Sequence, residues 1–310
     1  EMKDYTQAIS CYQEAIKLKP DRYEAWYNMG NAYFEMKDYT HAISCYQEAI
    51  KLKPDFDAAW YNMGIAYDEM KDYTRAISCY PEAIKLKPDN DEAWYNMGIA
   101  YRQMKDYTRA IACYQKAIKI KPDKDKAWNN MGNAYDEMKD YTQAISCYQE
   151  AIKLKPDNDE AWYNMGNAYF EMKDYTRAIS CYQKAIKIKP DYYNAWYNMG
   201  IAYRKMEDYT KAIAAYKEAI IFGLARFKEE DIEEFGQDFT NIFKGILKVK
   251  RYEDAYRLFQ LCQEKASQSL LDVLYPMGKA IEYLYTRKSE LIERQPMEFR
   301  KTIEEILREV

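Results

Sequence analysis

Apolar residues recur at helical spacing along most of the chain. In the segment 23–56, four residues are spaced i, i+3, i+4 and i+7 and predict one face of a helix: Trp26, Met29, Gly30 and Tyr33. After the stretch KDYT (37–40), a second set predicts another helix: Ala42, Tyr46, Ala49 and Ile50. Pro54 ends this helix, because the residue before a proline avoids the α conformation. The segment is therefore a predicted helical hairpin.

This pattern repeats every 34 residues. Six tryptophans share the spacing: Trp26, Trp60, Trp94, Trp128, Trp162 and Trp196. So do six glycines (Gly30 to Gly200) and six prolines (Pro20 to Pro190). A fixed period of this size is typical of a repeat array, in which each repeat buries its apolar face against its neighbours.

The residues match the tetratricopeptide pattern W-x2-L-G-x2-Y…A-x3-F…P. Six positions agree with that pattern: Trp26, Gly30, Tyr33, Ala42, Ala49 and Pro54. Met29 stands for the usual leucine and Tyr46 for the usual phenylalanine. The chain thus resembles the tetratricopeptide repeat family, which implies an all-α fold: a right-handed superhelical solenoid of antiparallel helix pairs.

We expect two domains. The first is a repeat array over 1–226, made of a partial repeat (1–22) and six full ones: 23–56, 57–90, 91–124, 125–158, 159–192 and 193–226. Pro81 predicts a local kink in one second helix. The second domain, 227–310, contains degenerate helical repeats that cap the array, and its last helix is expected from Phe299 to Val310. A separate docking element, or a tail that folds into the groove, is the alternative.

Each first helix carries a polar face opposite its apolar one. Its central row is six asparagines: Asn28, Asn62, Asn96, Asn130, Asn164 and Asn198. A tyrosine row runs beside it, interrupted by Asn129: Tyr27, Tyr61, Tyr95, Tyr163 and Tyr197. A third row alternates between Asn31, Asn133, Asn167 and Ile65, Ile99, Ile201. An outer row is mostly acidic: Glu35, Glu69, Glu137 and Glu171.

The resemblance implies that this face lines the concave groove where the family binds extended peptides. The row is similar to the asparagine ladder in the superhelical arm of the O-linked N-acetylglucosamine transferases. A carboxamide both donates and accepts, so it can pair with a peptide backbone. The asparagine and tyrosine rows, with Asn31, Asn133 and Asn167, are the predicted peptide-binding residues. Two structural alternatives stay open: the tyrosines pack between adjacent first helices, or the asparagines bridge neighbouring repeats.

Composition narrows the partner. The net charge is −4 and the groove lacks the lysines and arginines that phosphates need, so we expect a protein or peptide partner and no nucleic acid. No apolar run is long enough to span a membrane. A carboxylate clamp for acidic peptide tails needs lysine where Tyr27 stands, so this chain lacks the cations of such a clamp. The acidic outer row favours neutral or basic partners.

No catalytic chemistry is predicted. The single histidine, His41, lacks the partners of a catalytic pair, and neither a phosphate loop nor metal-ligand spacing occurs. We therefore expect no enzyme activity, no cofactor and no metal. Six cysteines share one repeat position (Cys11, Cys45, Cys79, Cys113, Cys147 and Cys181). Equivalent residues on successive packed helices lie roughly 8–10 Å apart, which is too far for a disulfide. We therefore expect these cysteines to act as small apolar residues beside the core.

The predicted function is a cytoplasmic protein–protein interaction scaffold that binds an extended segment in its groove. Two alternatives remain at this stage. In the first, the chain is the recruiting arm of a larger enzyme. In the second, it is a scaffold that self-associates end to end through the apolar end of its partial first repeat.

Overall fold

The computed structural model describes residues 2–226, 232–248, 250–286, 295 and 297–309. In these ranges the regular elements are 17 α-helices, and the all-α fold is confirmed. The chain divides into two compact units, Glu1–Pro156 and Asp157–Val310. The boundary predicted at 226 stays a prediction.

The first unit contains nine helices: α1 Met2–Leu18, α2 Tyr23–Glu35, α3 Tyr39–Leu52, α4 Asp57–Glu69, α5 Tyr73–Leu86, α6 Asp91–Gln103, α7 Tyr107–Ile120, α8 Asp125–Glu137 and α9 Tyr141–Leu154. From α2 onward they form hairpins, and each second helix up to α7 also packs against the first helix of the next repeat. The predicted hairpin of helices per repeat is therefore confirmed.

The second unit continues with the same hairpins and then departs from them. Its described helices are α10 Asp159–Glu171, α11 Tyr175–Ile188, α12 Tyr193–Lys205, α13 Tyr209–Arg226, α14 Ile232–Lys248, α15 Tyr252–Lys265, α16 Gln268–Thr286 and α17 Met297–Glu309. Helix α16 packs against α14, α15 and α17. The final helix begins two residues before the predicted Phe299, and Val310 lies outside the described residues.

The hairpin turn has one geometry throughout, shown here for the third full repeat. Lys105 adopts φ 60°, and its N–H donates to the carbonyl of Arg102 at 2.9 Å, while the N–H of Asp106 reaches Tyr101 at 2.9 Å. These two bonds satisfy carbonyls at the end of α6. The Asp106 carboxylate then accepts from the N–H of Arg109 at 3.0 Å and caps α7. The KD pair in KDYT thus ends one helix and starts the next.

The repeat core depends on a close approach between its two helices. The side chains of Tyr114 and its equivalents in the other full repeats are almost fully buried. A Cβ added at Gly98 would lie 2.6 Å from Cε1 of Tyr114, so the ring fills the space that glycine leaves. Trp60 is half-buried, and its indole N–H donates to the carbonyl of Pro54 at 3.3 Å.

Helix α5 keeps the same length as α3 although it contains Pro81. The proline ring is exposed. It leaves the carbonyl four residues earlier, that of Ile77, without its helical donor. The kink itself stays a prediction.

The degenerate repeats keep part of the pattern. The apolar stripe on α14 is buried, with Phe239, Phe243 and Leu247 at 0% exposure. Lys250 repeats the φ of 60° at the turn into α15. The ring of Phe259 on α15 lies against Gly278 of the following helix, α16. In the regular repeats, the glycine lies on the first helix and the ring on the second helix of the same hairpin. Among the described residues, no helix combines the length and apolar character needed to cross a membrane.

The ladder face, a candidate binding site

The asparagine, tyrosine and Asn/Ile rows lie on the first helix of each repeat, on α2, α4, α6 and α8 in the first unit and on α10 and α12 in the second. We call this surface the ladder face. Asn28 is exposed, whereas the other five asparagines of the central row are half-buried. The difference has a cause in the hydrogen bonds that follow.

Asparagines of the central row bridge neighbouring repeats. Four of the six donate from Nδ2 to the hydroxyl of the tyrosine in the preceding repeat: Asn62 to Tyr27 at 3.0 Å, Asn96 to Tyr61 at 3.0 Å, Asn130 to Tyr95 at 2.7 Å and Asn198 to Tyr163 at 3.0 Å. Burial raises the pKa of Tyr61 to about 12, so its hydroxyl stays neutral at ordinary pH. Of the structural alternatives, the bridge between repeats is realised at these four positions.

The bridging asparagines are of two kinds. Asn62 donates twice, to Tyr27 and to Oδ1 of Asn31 at 3.0 Å, so both N–H groups are used and only its oxygen faces outward. In the next repeat, Ile65 occupies the position of Asn31. Asn96 consequently donates only to Tyr61, and its second N–H and its oxygen make no hydrogen bond to the described residues of the protein. The alternation in the third row thus determines what each rung offers.

The third row also satisfies buried phenols. Tyr46 donates to Oδ1 of Asn31 at 2.9 Å, and the same distance joins Tyr148 to Asn133 and Tyr182 to Asn167. A buried hydroxyl without a partner is costly. At these three positions the asparagine therefore offsets the cost of tyrosine in place of the usual phenylalanine. That substitution was visible in the sequence and was the signal for this contact, which sequence reasoning missed.

In the repeat that carries Ile65, Asp68, three residues further along the helix, takes this role. Tyr80 donates to Oδ2 of Asp68, while Oδ1 of Asp68 is buried and has no hydrogen-bond partner. Burial raises the pKa of Asp68 to about 6, against the lowering effect of the Tyr80 bond. The folded chain therefore holds this proton more tightly than the unfolded chain. Stability falls as the pH rises from about 3.9 to about 6, and is then constant with respect to this group.

A pocket of about 320 Å³ opens on the ladder face between α2 and α4. Six residues line it: Asn31, Phe34, Glu35, Tyr46, Asn62 and Ile65. The ring of Phe34 meets that of Tyr39 edge-on at 5.3 Å between centroids, which fixes one wall. The pocket combines apolar walls with amide groups and one exposed carboxylate, a combination typical of ligand sites.

Three tetratricopeptide repeat profiles match the chain. The first covers residues 23–56, 91–124, 159–192 and 193–221, the second 1–37, 68–105 and 137–173, and the third 45–78 and 113–146. Together they cover every residue from 1 to 221. The chain belongs to the tetratricopeptide repeat family. No curated protein matches it.

Solved structures of other tetratricopeptide repeat proteins resemble this one. A structure of MamA is 27% identical and covers 52% of this chain and 94% of its own, with a TM-score of 0.50. YrrB, described as a TPR protein with an unusual peptide-binding site, is 21% identical over 59% of this chain and 95% of its own, with a TM-score of 0.53. MamA from Desulfovibrio magneticus RS-1 is 20% identical over 56% and 97%, also with a TM-score of 0.53. The last two show the fold alone.

Among the described residues of this tetratricopeptide repeat protein, sequence reasoning missed the buried lysine Lys124. Lys124 is only 8% exposed and lies 2.9 Å from Asp91 and 2.8 Å from Glu92. Its Nζ also lies 4.6 Å from the centroid of the Tyr95 ring. The cation thus packs against one member of the tyrosine row, Tyr95. Its signal was weak, because the residue before each first helix varies from repeat to repeat.

The cysteines are free in the structure. Five of the six at the shared repeat position are buried, and Cys11 is exposed. Burial raises the pKa of Cys113 to about 12, so its reactive thiolate is not populated at neutral pH. The prediction of small apolar residues therefore describes these five positions.

His41 lies on the surface of the second helix in the first full repeat. It is exposed, with Nδ1 2.7 Å from the Asp38 carboxylate and its ring stacked on Tyr33 at 5.1 Å. This contact belongs to the helix start. Within the described residues, no group of histidine, cysteine and acidic side chains has the arrangement of a metal site.

Proposed function

We propose that the protein is a non-enzymatic scaffold that holds an extended segment of a partner protein along the ladder face. Membership of the tetratricopeptide repeat family and the likeness to MamA support a role in protein interaction at this general level. YrrB has a peptide-binding site by its description. The particular site proposed for this chain rests on its own residues.

The pocket between α2 and α4 is the observation that carries this proposal. An extended segment that places one side chain between Phe34 and Ile65 brings its backbone to the side-chain amides of the same pocket. Asn31 offers N–H groups there and Asn62 offers its oxygen, because the other halves of both amides are bonded within the protein. The two side chains together provide the donor and acceptor that a backbone unit requires. Asn96 provides both by itself.

The expected affinity is modest. Burial of one large apolar side chain contributes roughly 1.5–3 kcal/mol, and each backbone hydrogen bond about 0.5–1.5 kcal/mol. The ordering of a flexible segment opposes much of this sum. A segment that covers two or three rungs should bind in the micromolar range.

Peptide display tests the proposal. Random 12-residue peptides are selected on the folded full-length chain, and the enriched sequences are synthesised and titrated by fluorescence anisotropy. We expect micromolar binding that the Phe34→Ala/Phe170→Ala double variant, which also changes the equivalent phenylalanine of α10, weakens at least fivefold. Gln47→Ala, on the exposed side of α3, should leave it unchanged.

Two results would overturn the proposal. The first is a selection that yields no peptide with a Kd below about 1 mM. The second is binding that the Phe34→Ala/Phe170→Ala double variant leaves intact while circular dichroism shows it folded. A third site-directed comparison, Asn96→Ala, should weaken peptides that reach the neighbouring rung.

A further inference from the structure

The residues that line the pocket of the first unit recur in the second unit. Four repeats later, the same six residue types recur at the equivalent positions: Asn167, Phe170, Glu171, Tyr182, Asn198 and Ile201. The hydrogen bonds recur with them. Tyr182 donates to Asn167 at 2.9 Å and Asn198 donates to Asn167 at 3.1 Å, compared with 2.9 Å and 3.0 Å in the first unit.

The ring contact at the wall is also the same. Phe170 lies 5.3 Å from Tyr175, as Phe34 does from Tyr39. None of the other first helices in the two units combines asparagine, phenylalanine and glutamate at these three positions. The two copies are therefore one built arrangement, present once in each compact unit.

The lining matches a side chain with an apolar stem and a cationic end. Phe34 and Ile65 provide apolar walls, and Glu35 provides an exposed carboxylate at the rim. The outward oxygen of Asn62 adds an acceptor, since its N–H groups are bonded to Tyr27 and Asn31. Lysine and arginine bury their methylene stems on apolar surfaces and keep the charge at the edge.

The two copies differ in the charges that follow on the next turn of the helix. After Ile65, α4 continues with Asp68 and Glu69, whereas after Ile201, α12 continues with Arg204 and Lys205. Glu69 and Lys205 are exposed at this edge. On the two helices of each copy, the first thus carries three acidic residues, of which Glu69 accepts from the wall residue Tyr39 at 3.3 Å, and the second carries one acidic and two basic residues.

We propose that the first copy selects a lysine or arginine of the bound segment, whereas the second copy accepts an uncharged side chain of similar length. This inference rests on the proposed function and names the residue class that each pocket takes. An exposed ion pair strengthens binding by up to about fivefold. Several carboxylates acting together should give up to about tenfold in the first copy.

Host–guest peptides test the inference one pocket at a time. The probes are fluorescein-labelled nine-residue alanine–serine peptides with lysine, norleucine or glutamate at the centre. Full-length Phe170→Ala leaves only the first copy intact, and full-length Phe34→Ala leaves only the second. With Phe170→Ala, the lysine peptide should bind up to about tenfold tighter than the norleucine peptide. With Phe34→Ala, norleucine should bind at least as well as lysine.

A milder pair of variants guards against disturbed folding. Glu35→Gln should reduce the lysine preference measured in the Phe170→Ala background, whereas Gln47→Ala, on the exposed side of α3, should leave that preference unchanged. Equal lysine-to-norleucine ratios in the two backgrounds would overturn the inference and leave the proposed function standing. If no probe binds wild type or either variant, while display also fails, the proposed function falls and this inference with it.

Discussion

Three asparagines of the first unit occupy the same repeat position but make different numbers of hydrogen bonds. Asn28 is exposed and donates none, Asn96 donates one, to Tyr61, and Asn62 donates two, to Tyr27 and Asn31. Substitution of each by alanine therefore removes zero, one or two bonds from an otherwise equivalent site. The series measures how much the ladder stabilises the array.

The magnitudes follow from two opposing effects. Alanine gains up to about 0.7 kcal/mol of helix propensity over asparagine at all three sites. Each lost bond costs about 0.5–1.5 kcal/mol. Asn28→Ala should therefore stabilise the array slightly. Asn96→Ala should lower the free energy of unfolding by about 0–1 kcal/mol, and Asn62→Ala should lower it by about 1–2 kcal/mol.

Urea unfolding of the full-length chain, followed by circular dichroism, gives the free energies if the three variants share one m-value. Hydrogen exchange then places the effect, because Asn62→Ala should increase exchange in α2 and α4. Equal losses for Asn62→Ala and Asn28→Ala would refute the bridging role. So would a gain in stability at all three positions.

Three further predictions concern turns, a buried acid and a proline. Lys105→Gly should stabilise the chain by up to about 1 kcal/mol because φ is 60° there, whereas Lys116→Gly inside α7 should cost about 1 kcal/mol; thermal melts compare them. The stability advantage of Asp68→Asn over wild type should grow by up to about 2 kcal/mol from pH 4 to pH 7, because the pKa of Asp68 in the folded chain is raised to about 6; a flat difference in urea titrations would contradict this. Pro81→Gln should restore a helical N–H and raise the free energy of unfolding by up to about 3 kcal/mol, which thermal melts would show as a higher Tm.

The fold was predictable from the sequence because the period is exact. Trp26, Gly30 and Ala42 recur with their spacing intact, so the hairpin and its close packing followed from steric size alone. The turn was less accessible. Lys105 and its equivalents adopt a conformation that the lysine side chain does not favour, and only the backbone shows it.

The role of the ladder was only partly predictable. The row of asparagines identified the face, but the sequence could not tell whether an amide points to a ligand or to the next repeat. That depends on the distance between first helices, which places Tyr27 within 3.0 Å of Asn62. The alternation of Asn31 with Ile65 was visible, yet its consequence for Asn96 needed the geometry.

The most direct test of the account concerns recognition of a peptide backbone. The tightest peptide from the display selection is synthesised with a single N-methyl group at each residue in turn, and the Kd of each form is measured by isothermal titration. We predict that N-methylation at one or two central residues weakens binding at least tenfold, while alanine at the same residues changes it less. Equal affinity for all N-methylated forms would contradict the account.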